Sequence, residues 1–120
     1  MRLAATVLIV LVAALHVYFL VLEMFLWRTP FGRRTFGTTV EAAESSAVLA
    51  ANQGLYNGFL AAGLLWGLIW YGVTGGRPII TFFLLCVIAA GIYGGVTVSR
   101  RILVVQAAPA AIAAALLCLA

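Results

Sequence analysis

Four long apolar runs, separated by short polar segments, divide the chain. They cover approximately residues 3–27, 39–72, 79–98 and 102–120. A transmembrane helix needs about 20 apolar residues to cross a hydrocarbon core roughly 30 Å thick. The pattern therefore predicts an all-α integral membrane protein, a four-transmembrane-helix bundle that forms a single domain. The first run is longer than the 7–15 apolar residues of a signal peptide, so we expect it to be retained.

The polar segments contain residues that typically begin or end helices. Residues 28–37 include Pro30 and two glycines and are predicted to form a loop without a helix. Thr38 followed by Glu41 matches a capping box, which predicts the start of the second long helix. Pro109 lies inside the fourth run, where we expect it to kink the helix rather than end it.

Composition agrees with lipid as the main solvent of this chain. Hydrophobic residues make up 66% and charged residues 8%, and the mean hydropathy is +1.20. A soluble domain of this size leaves a large share of its residues facing water and needs more polar ones. The net charge of +4 comes from arginines at the ends of apolar runs, which is typical of topology signals. We therefore expect membrane lipids as partners and no nucleic acid, and a homo-oligomer stays open.

The distribution of arginines predicts the orientation. Four crossings place five arginines on one side, in the first and third loops: Arg28, Arg33, Arg34, Arg100 and Arg101. Arg2 and Arg77 fall on the other side. Because arginine favours cytoplasmic loops, those two loops are expected inside and both termini outside.

Polar side chains within the apolar runs are few, and most share one depth. At about 1.5 Å per residue, nearly all fall in the leaflet that faces the first and third loops. Each costs free energy unless it meets a partner or water, which predicts a polar cavity in the bundle facing the cytoplasmic leaflet. The candidate ligand-binding residues are Asn52, Gln53, Tyr56, Asn57, Tyr93 and Gln106.

Glu23 and His16 are the candidate catalytic residues. Glu23 is the only acid expected within the hydrocarbon region, and His16, seven residues earlier, falls on nearly the same helix face. An intramembrane carboxylate near a histidine can act as an acid or base, carry a proton or bind a cation. A structural alternative stays open, in which Glu23 pairs with Arg28, Arg33 or Arg101. In that alternative His16 is a hydrogen-bonded core residue and the amides bridge helices.

No metal or cofactor is expected. Cys86 and Cys118 lie inside apolar runs, without a CxxC or Cys/His spacing, so they indicate neither a metal site nor a disulfide. We expect buried, unreactive thiols.

Several strings in the chain resemble one known family. They are residues 15–19 (LHVYF), 22–27 (LEMFLW), 29–32 (TPFG), 50–64 (AANQGLYNGFLAAGL) and 89–94 (AAGIYG), followed by Gln106 and Pro109. Together they are similar to the bacterial membrane proteins known as the domain of unknown function 1304. The resemblance covers nearly the whole chain and implies a small four-helix protein of the bacterial inner membrane. It implies no activity.

Three functions remain open at this point. In the first, a lipophilic small molecule enters the cavity, where Glu23 and His16 bind it or act on it, so whether the protein is an enzyme stays undecided. The second is a proton-coupled transporter resembling the small multidrug resistance family, which also has four helices and a membrane-embedded Glu in the first. The third is an accessory structural subunit. We favour the first because the polar residues occupy one leaflet, whereas a transport site is usually near the midplane.

Overall fold

The computed structural model describes all 120 residues, Met1–Ala120, and the fold is all-α, without a strand. Its helices are α1 (Arg2–Met24), α2 (Pro30–Phe36), α3 (Val40–Gly75), α4 (Arg77–Thr97) and α5 (Ala108–Leu119), with a π-helical turn at Leu103–Ala107 before α5. By length and composition, α1, α3 and α4 are able to cross a membrane. The final helical segment, Leu103–Leu119, is apolar but shorter.

Helix α2 lies where the sequence pattern predicted a loop, and that prediction is wrong. Pro30 occupies the start of the helix, where its missing N–H is not needed. The Thr29 hydroxyl accepts a hydrogen bond from the Gly32 N–H at 3.1 Å and so caps the helix. The helix ends at Gly37, whose φ of 64° is left-handed and whose N–H donates to the Arg33 carbonyl. Proline therefore begins a helix here instead of preventing one.

The cap of α3 is one residue later than the sequence predicted. The Ala42 N–H donates to the Thr39 hydroxyl at 3.1 Å, so Thr39, and not Thr38, occupies the capping position. Thr38 and Thr39 are the same type of residue, so residue type does not decide between them. The backbone that leaves Gly37 decides which of them faces the helix end.

The chain forms two compact units. Unit 1 comprises Met1–Ala14 and Leu60–Ala120, and unit 2 comprises Leu15–Phe59. Helices α1 and α3 each contribute one half to unit 1 and the other half to unit 2.

In unit 1, four helical segments share one apolar core. The core takes residues from the first half of α1, the second half of α3, α4 and α5, namely Ala5, Ile9, Val12, Ala13, Ala61, Leu64, Ile80, Leu84, Val87, Ala110, Ala113 and Leu117. Alanines supply five of these twelve core positions, and leucine, isoleucine and valine supply the others. No polar side chain belongs to this core.

Glycines of α4 pack closely against the π-helical turn of unit 1. A Cβ on Gly91 would lie 2.6 Å from the backbone nitrogen of Ala107, and one on Gly95 would overlap the Leu103 side chain. Small residues allow this approach of two helix backbones. The turn ends two residues before Pro109, and the Ala108 N–H donates to the Leu103 carbonyl.

The other end of α4 is close to the end of α5. Helix α3 is interrupted at Gly72, where φ is 75° and ψ is 175°, and α4 begins at Arg77. The Arg77 guanidinium donates to the Ala120 carbonyl at 2.6 Å. Since Gly91 and Gly95 contact the turn that precedes α5, the segment Leu103–Leu119 runs antiparallel to α4 along its length.

Gly91→Ala should destabilise the protein, because even a methyl group would overlap the backbone at Ala107. Overpacking of this kind typically costs about 1–3 kcal/mol of unfolding free energy. Thermal melting in detergent measures the effect. Gly75→Ala is the matched control, since its Cβ would lie an ordinary 3.5 Å from the Tyr71 Cβ. Equal melting temperatures for the two variants would contradict the close approach at Gly91.

Candidate functional site

The corner between α1 and α2 in unit 2 is closed by short backbone contacts. The Leu26 carbonyl accepts from both the Thr29 N–H, at 3.1 Å, and the Thr29 hydroxyl, at 2.7 Å. Gly32 packs against this same carbonyl so closely that a Cβ would overlap its oxygen. The string TPFG thus contains a cap, a helix start and a glycine needed for close approach. It fixes the end of α1, where Glu23 lies.

Glu23 and Asn57 form a buried hydrogen-bonded pair in unit 2. The Asn57 Nδ2 donates to the Glu23 Oε1 at 2.5 Å. Only 4% of Glu23 and 8% of Asn57 is exposed. Oε1 is therefore engaged by a neutral amide, while Oε2 can accept a hydrogen bond from a further group.

Two glycines bring the helices of this pair together. A Cβ on Gly54 would lie 2.8 Å from the Met24 Cγ and 3.0 Å from the Glu23 Cβ, and one on Gly58 would lie 2.6 Å from the Leu20 Cδ1. Gly54 precedes Asn57 by three residues and so shares its helix face. The glycines let α3 approach α1 closely enough for the short Asn57 side chain to reach the carboxylate.

Arg28 and Arg33 bind groups other than Glu23. Arg28 forms an ion pair with Glu44 at 3.3 Å, and both side chains are 61% exposed. Arg33 donates to the Arg28 carbonyl at 2.6 Å. An ion pair between Glu23 and Arg28, considered from the sequence, is therefore not formed.

An open pocket of about 600 Å³ adjoins the buried carboxylate within unit 2. Its walls come from the end of α1, the corner and the start of α3, namely Glu23, Met24, Phe25, Trp27, Arg28, Thr29, Ala47, Val48 and Ala51. The pocket is open at the surface and is not an enclosed cavity. Apart from a carboxylate, a guanidinium and a hydroxyl, the walls are apolar, whereas the sequence predicted a cavity lined with amides.

His16 is buried, with 1% exposed, and its ring meets Phe19 edge-on at a centroid distance of 5.2 Å. Seven residues separate it from Glu23 along α1, which corresponds to about 10 Å. This separation is too long for direct proton exchange between the two side chains. The catalytic assignment of Glu23 and His16 stays a prediction, and as a pair they would need a group between them.

Three of the four polar residues predicted on α3 do not point inward. Asn52, Gln53 and Tyr56 are exposed, and only Asn57 is buried. At about 100° per residue, Asn52 lies roughly 160° from both Ala50 and Gly54, which are buried. The spacing of four residues keeps neighbours together, but it does not decide which side of a helix is covered.

Tyr93 and Gln106 belong to unit 1, and none of the pocket residues does. Tyr93 is 73% exposed, and Gln106 is partly buried. Their assignment to a ligand site stays a prediction from the sequence.

Trp27 and Ser46 belong to the site region but were not predicted there. The Trp27 Nε1 donates to the Ser46 hydroxyl at 3.1 Å, and the indole packs on Phe36 at 4.8 Å between ring centroids. Ser46 in turn donates to the Ala42 carbonyl at 2.6 Å. Only the position of Trp27 directly before the TPFG string connects it with the corner in the sequence.

Comparisons with known proteins give relatives without an assigned activity. Residues 10–118 match the family described as Protein of unknown function (DUF1304). The uncharacterized protein YpaA of Lactococcus lactis is 30% identical over 108 residues, which cover 88% of this chain and 89% of YpaA. No solved structure matches the chain. These names state no substrate, so function has to be inferred from the geometry.

Asn57→Leu should destabilise the protein, because it leaves the buried Glu23 carboxyl without its donor. An unsatisfied buried group costs about 1–3 kcal/mol, and more if it is charged. Combining Asn57→Leu with Glu23→Leu should recover part of the loss, since both polar groups are then removed. Thermal melting of the two single variants and the double variant gives the coupling. Gln53→Leu, the same change at an exposed amide, should have little effect, and a cycle without coupling would contradict the pairing.

Proposed function

We propose a function from the geometry, because this chain belongs to the DUF1304 family, which has no assigned activity. The match over residues 10–118 confirms the family that the sequence resemblance predicted. The protein is a four-crossing membrane protein that binds a lipophilic small molecule in the pocket beside Glu23. The observation that carries this proposal is a buried carboxylate held by Asn57, and not by an arginine, in the wall of an apolar pocket.

The first step of the proposal is the fourth crossing. Three helices are long enough to cross a membrane, and the segment Leu103–Leu119 is somewhat short for a crossing by itself. Its antiparallel packing along α4, from Gly95 to Arg77, supports the view that it covers the same thickness of bilayer. Its share in the unit 1 core, through Ala110, Ala113 and Leu117, supports this as well.

The second step concerns ligand chemistry. In a structural ion pair an arginine would neutralise the Glu23 carboxylate. Here the neutral amide of Asn57 orients the carboxylate without neutralising it. Apolar walls from Met24, Phe25 and Trp27 suit a hydrocarbon body. A carboxylate in such surroundings favours a cation or a strong hydrogen-bond donor. The matching ligand is thus an apolar molecule with one amino or other donor group.

The third step is orientation. The corner with Arg28, Arg33 and Arg34 lies on the cytoplasmic side of the bacterial inner membrane, as the excess of arginines favours. The pocket then opens at the cytoplasmic leaflet, because its residues belong to the end of α1 and the start of α3.

Cysteine labelling tests this orientation. With both native cysteines replaced by alanine, Phe31→Cys, on the exposed surface of α2, should be protected from a membrane-impermeant maleimide in intact cells. Thr74→Cys, at an exposed position near the end of α3 after the break at Gly72, is the matched control and should be labelled. Labelling of position 31 before permeabilisation, with position 74 protected, would reverse the orientation and place the pocket at the outer leaflet.

Binding of dodecylamine tests the site, with Trp27 as the reporter. In a background of Trp66→Phe and Trp70→Phe, dodecylamine should change the Trp27 fluorescence saturably and raise the melting temperature. Glu23→Gln keeps an oxygen that accepts from Asn57, so folding should be nearly unchanged, but it cannot ionise and should weaken binding at least tenfold, about 1.4 kcal/mol.

Two controls make this experiment decisive. Dodecanol has the same chain without the amine, and Glu44→Gln removes an exposed carboxylate that is not part of the pocket wall. Neither dodecanol nor Glu44→Gln should reproduce the result. Equal binding by Glu23→Gln would reject the site. A markedly lower melting temperature for that variant would instead assign Glu23 a structural role.

A further inference from the structure

One polar residue lies at the centre of an otherwise apolar exposed surface of α3. We name this surface the Asn52 face; it consists of Val48, Leu49, Asn52, Leu55, Tyr56 and Phe59, all of them exposed. Asn52 points almost opposite to Ala50 and Gly54, which are buried against the rest of unit 2. The amide of Asn52 has no hydrogen-bond partner within the chain.

The position of Asn52 along α3 places it within the hydrocarbon. Glu44, which is exposed and paired with Arg28, marks the polar end of the helix. Eight residues separate Glu44 from Asn52, about 12 Å along the axis. The headgroup region accounts for only about 5–8 Å of each leaflet. Hydrocarbon offers an amide no hydrogen bond, so a protein group has to cover Asn52.

We propose that a second copy of this chain covers the Asn52 face, with Asn52 hydrogen-bonded to the partner's Asn52 across a two-fold axis. A carboxamide contains both a donor and an acceptor, so two copies of one amide satisfy each other. A two-fold axis brings the same patch of both protomers together, and the amide at its centre meets itself. Single asparagines of this kind promote association of membrane helices and set their register.

The rest of the face fits such a contact. Val48, Leu49 and Leu55 surround the amide with aliphatic side chains that pack against their own copies. Tyr56 and Phe59 already form an edge-on pair, with ring centroids 5.7 Å apart, one and two turns from Asn52. The face shares only Val48 with the pocket, so this inference does not depend on the proposed ligand.

Energy transfer between protomers in lipid vesicles measures the association. Wild-type protein labelled with donor or acceptor dyes should associate, and dilution with lipid should reverse it. Asn52→Leu should weaken association at least tenfold, while Asn52→Gln, which keeps an amide, should retain it. Leu85→Ala is the control, because Leu85 is exposed on α4 and lies outside the Asn52 face. At a dilution in detergent at which the wild type is monomeric, thermal melting of the variants should be unchanged, since Asn52 supports nothing within the chain.

Cross-linking gives a second test that does not depend on replacing Asn52. With the native cysteines replaced by alanine, Tyr56→Cys should form disulfide-linked dimers in vesicles, and Leu85→Cys on the exposed surface of α4 should not. A monomeric wild type would overturn the proposal and leave the face to another protein or to lipid. Dimers that are insensitive to Asn52→Leu, or linked only through position 85, would overturn it as well.

Discussion

A carboxyl group inside an apolar helix needs a hydrogen-bond donor from the protein, and in this chain Asn57 supplies it to Glu23. An amide side chain is short, so the backbones of α1 and α3 have to lie close together at this level. Gly54 and Gly58 permit that approach, because a methyl group at either position would meet α1 side chains. The polar pair and the glycines are therefore one feature of unit 2, in which sterics decide whether the hydrogen bond forms.

The corner after α1 explains why an arginine does not neutralise the carboxylate. Thr29 binds the Leu26 carbonyl and caps α2, and Gly32 packs on the same carbonyl. The chain therefore turns immediately after α1, and Arg28 points to Glu44 in an exposed ion pair. Such exposed pairs contribute little to stability, about 0–1 kcal/mol. Their effect here is to leave Glu23 with the neutral amide of Asn57 as its partner.

Glycine has a related role in unit 1, without polar groups. Gly91 and Gly95 admit the π-helical turn before Pro109, and the apolar core consists of alanines, leucines, isoleucines and valines from four helical segments. Because lipid is as apolar as these side chains, helix association in a membrane depends on close packing rather than on the hydrophobic effect. Unit 1 thus has the composition of a scaffold, whereas the ionisable and amide groups that are buried lie in unit 2.

The sequence by itself determined the all-α class, the approximate positions of the apolar helices and the family, because apolar length and motif strings are local features. It also predicted a loop where α2 lies, since Pro30 stops or starts a helix according to its position in it. Tertiary structure decided which polar residues are covered. Asn52, Gln53, Tyr56 and Asn57 are alike in the sequence, but packing on α1 buries one side of α3 only, and that side contains Asn57. Tertiary structure also decided the partner of Glu23, because whether an amide or an arginine reaches it depends on backbone distances that Gly54, Gly58 and the corner at Thr29 set together.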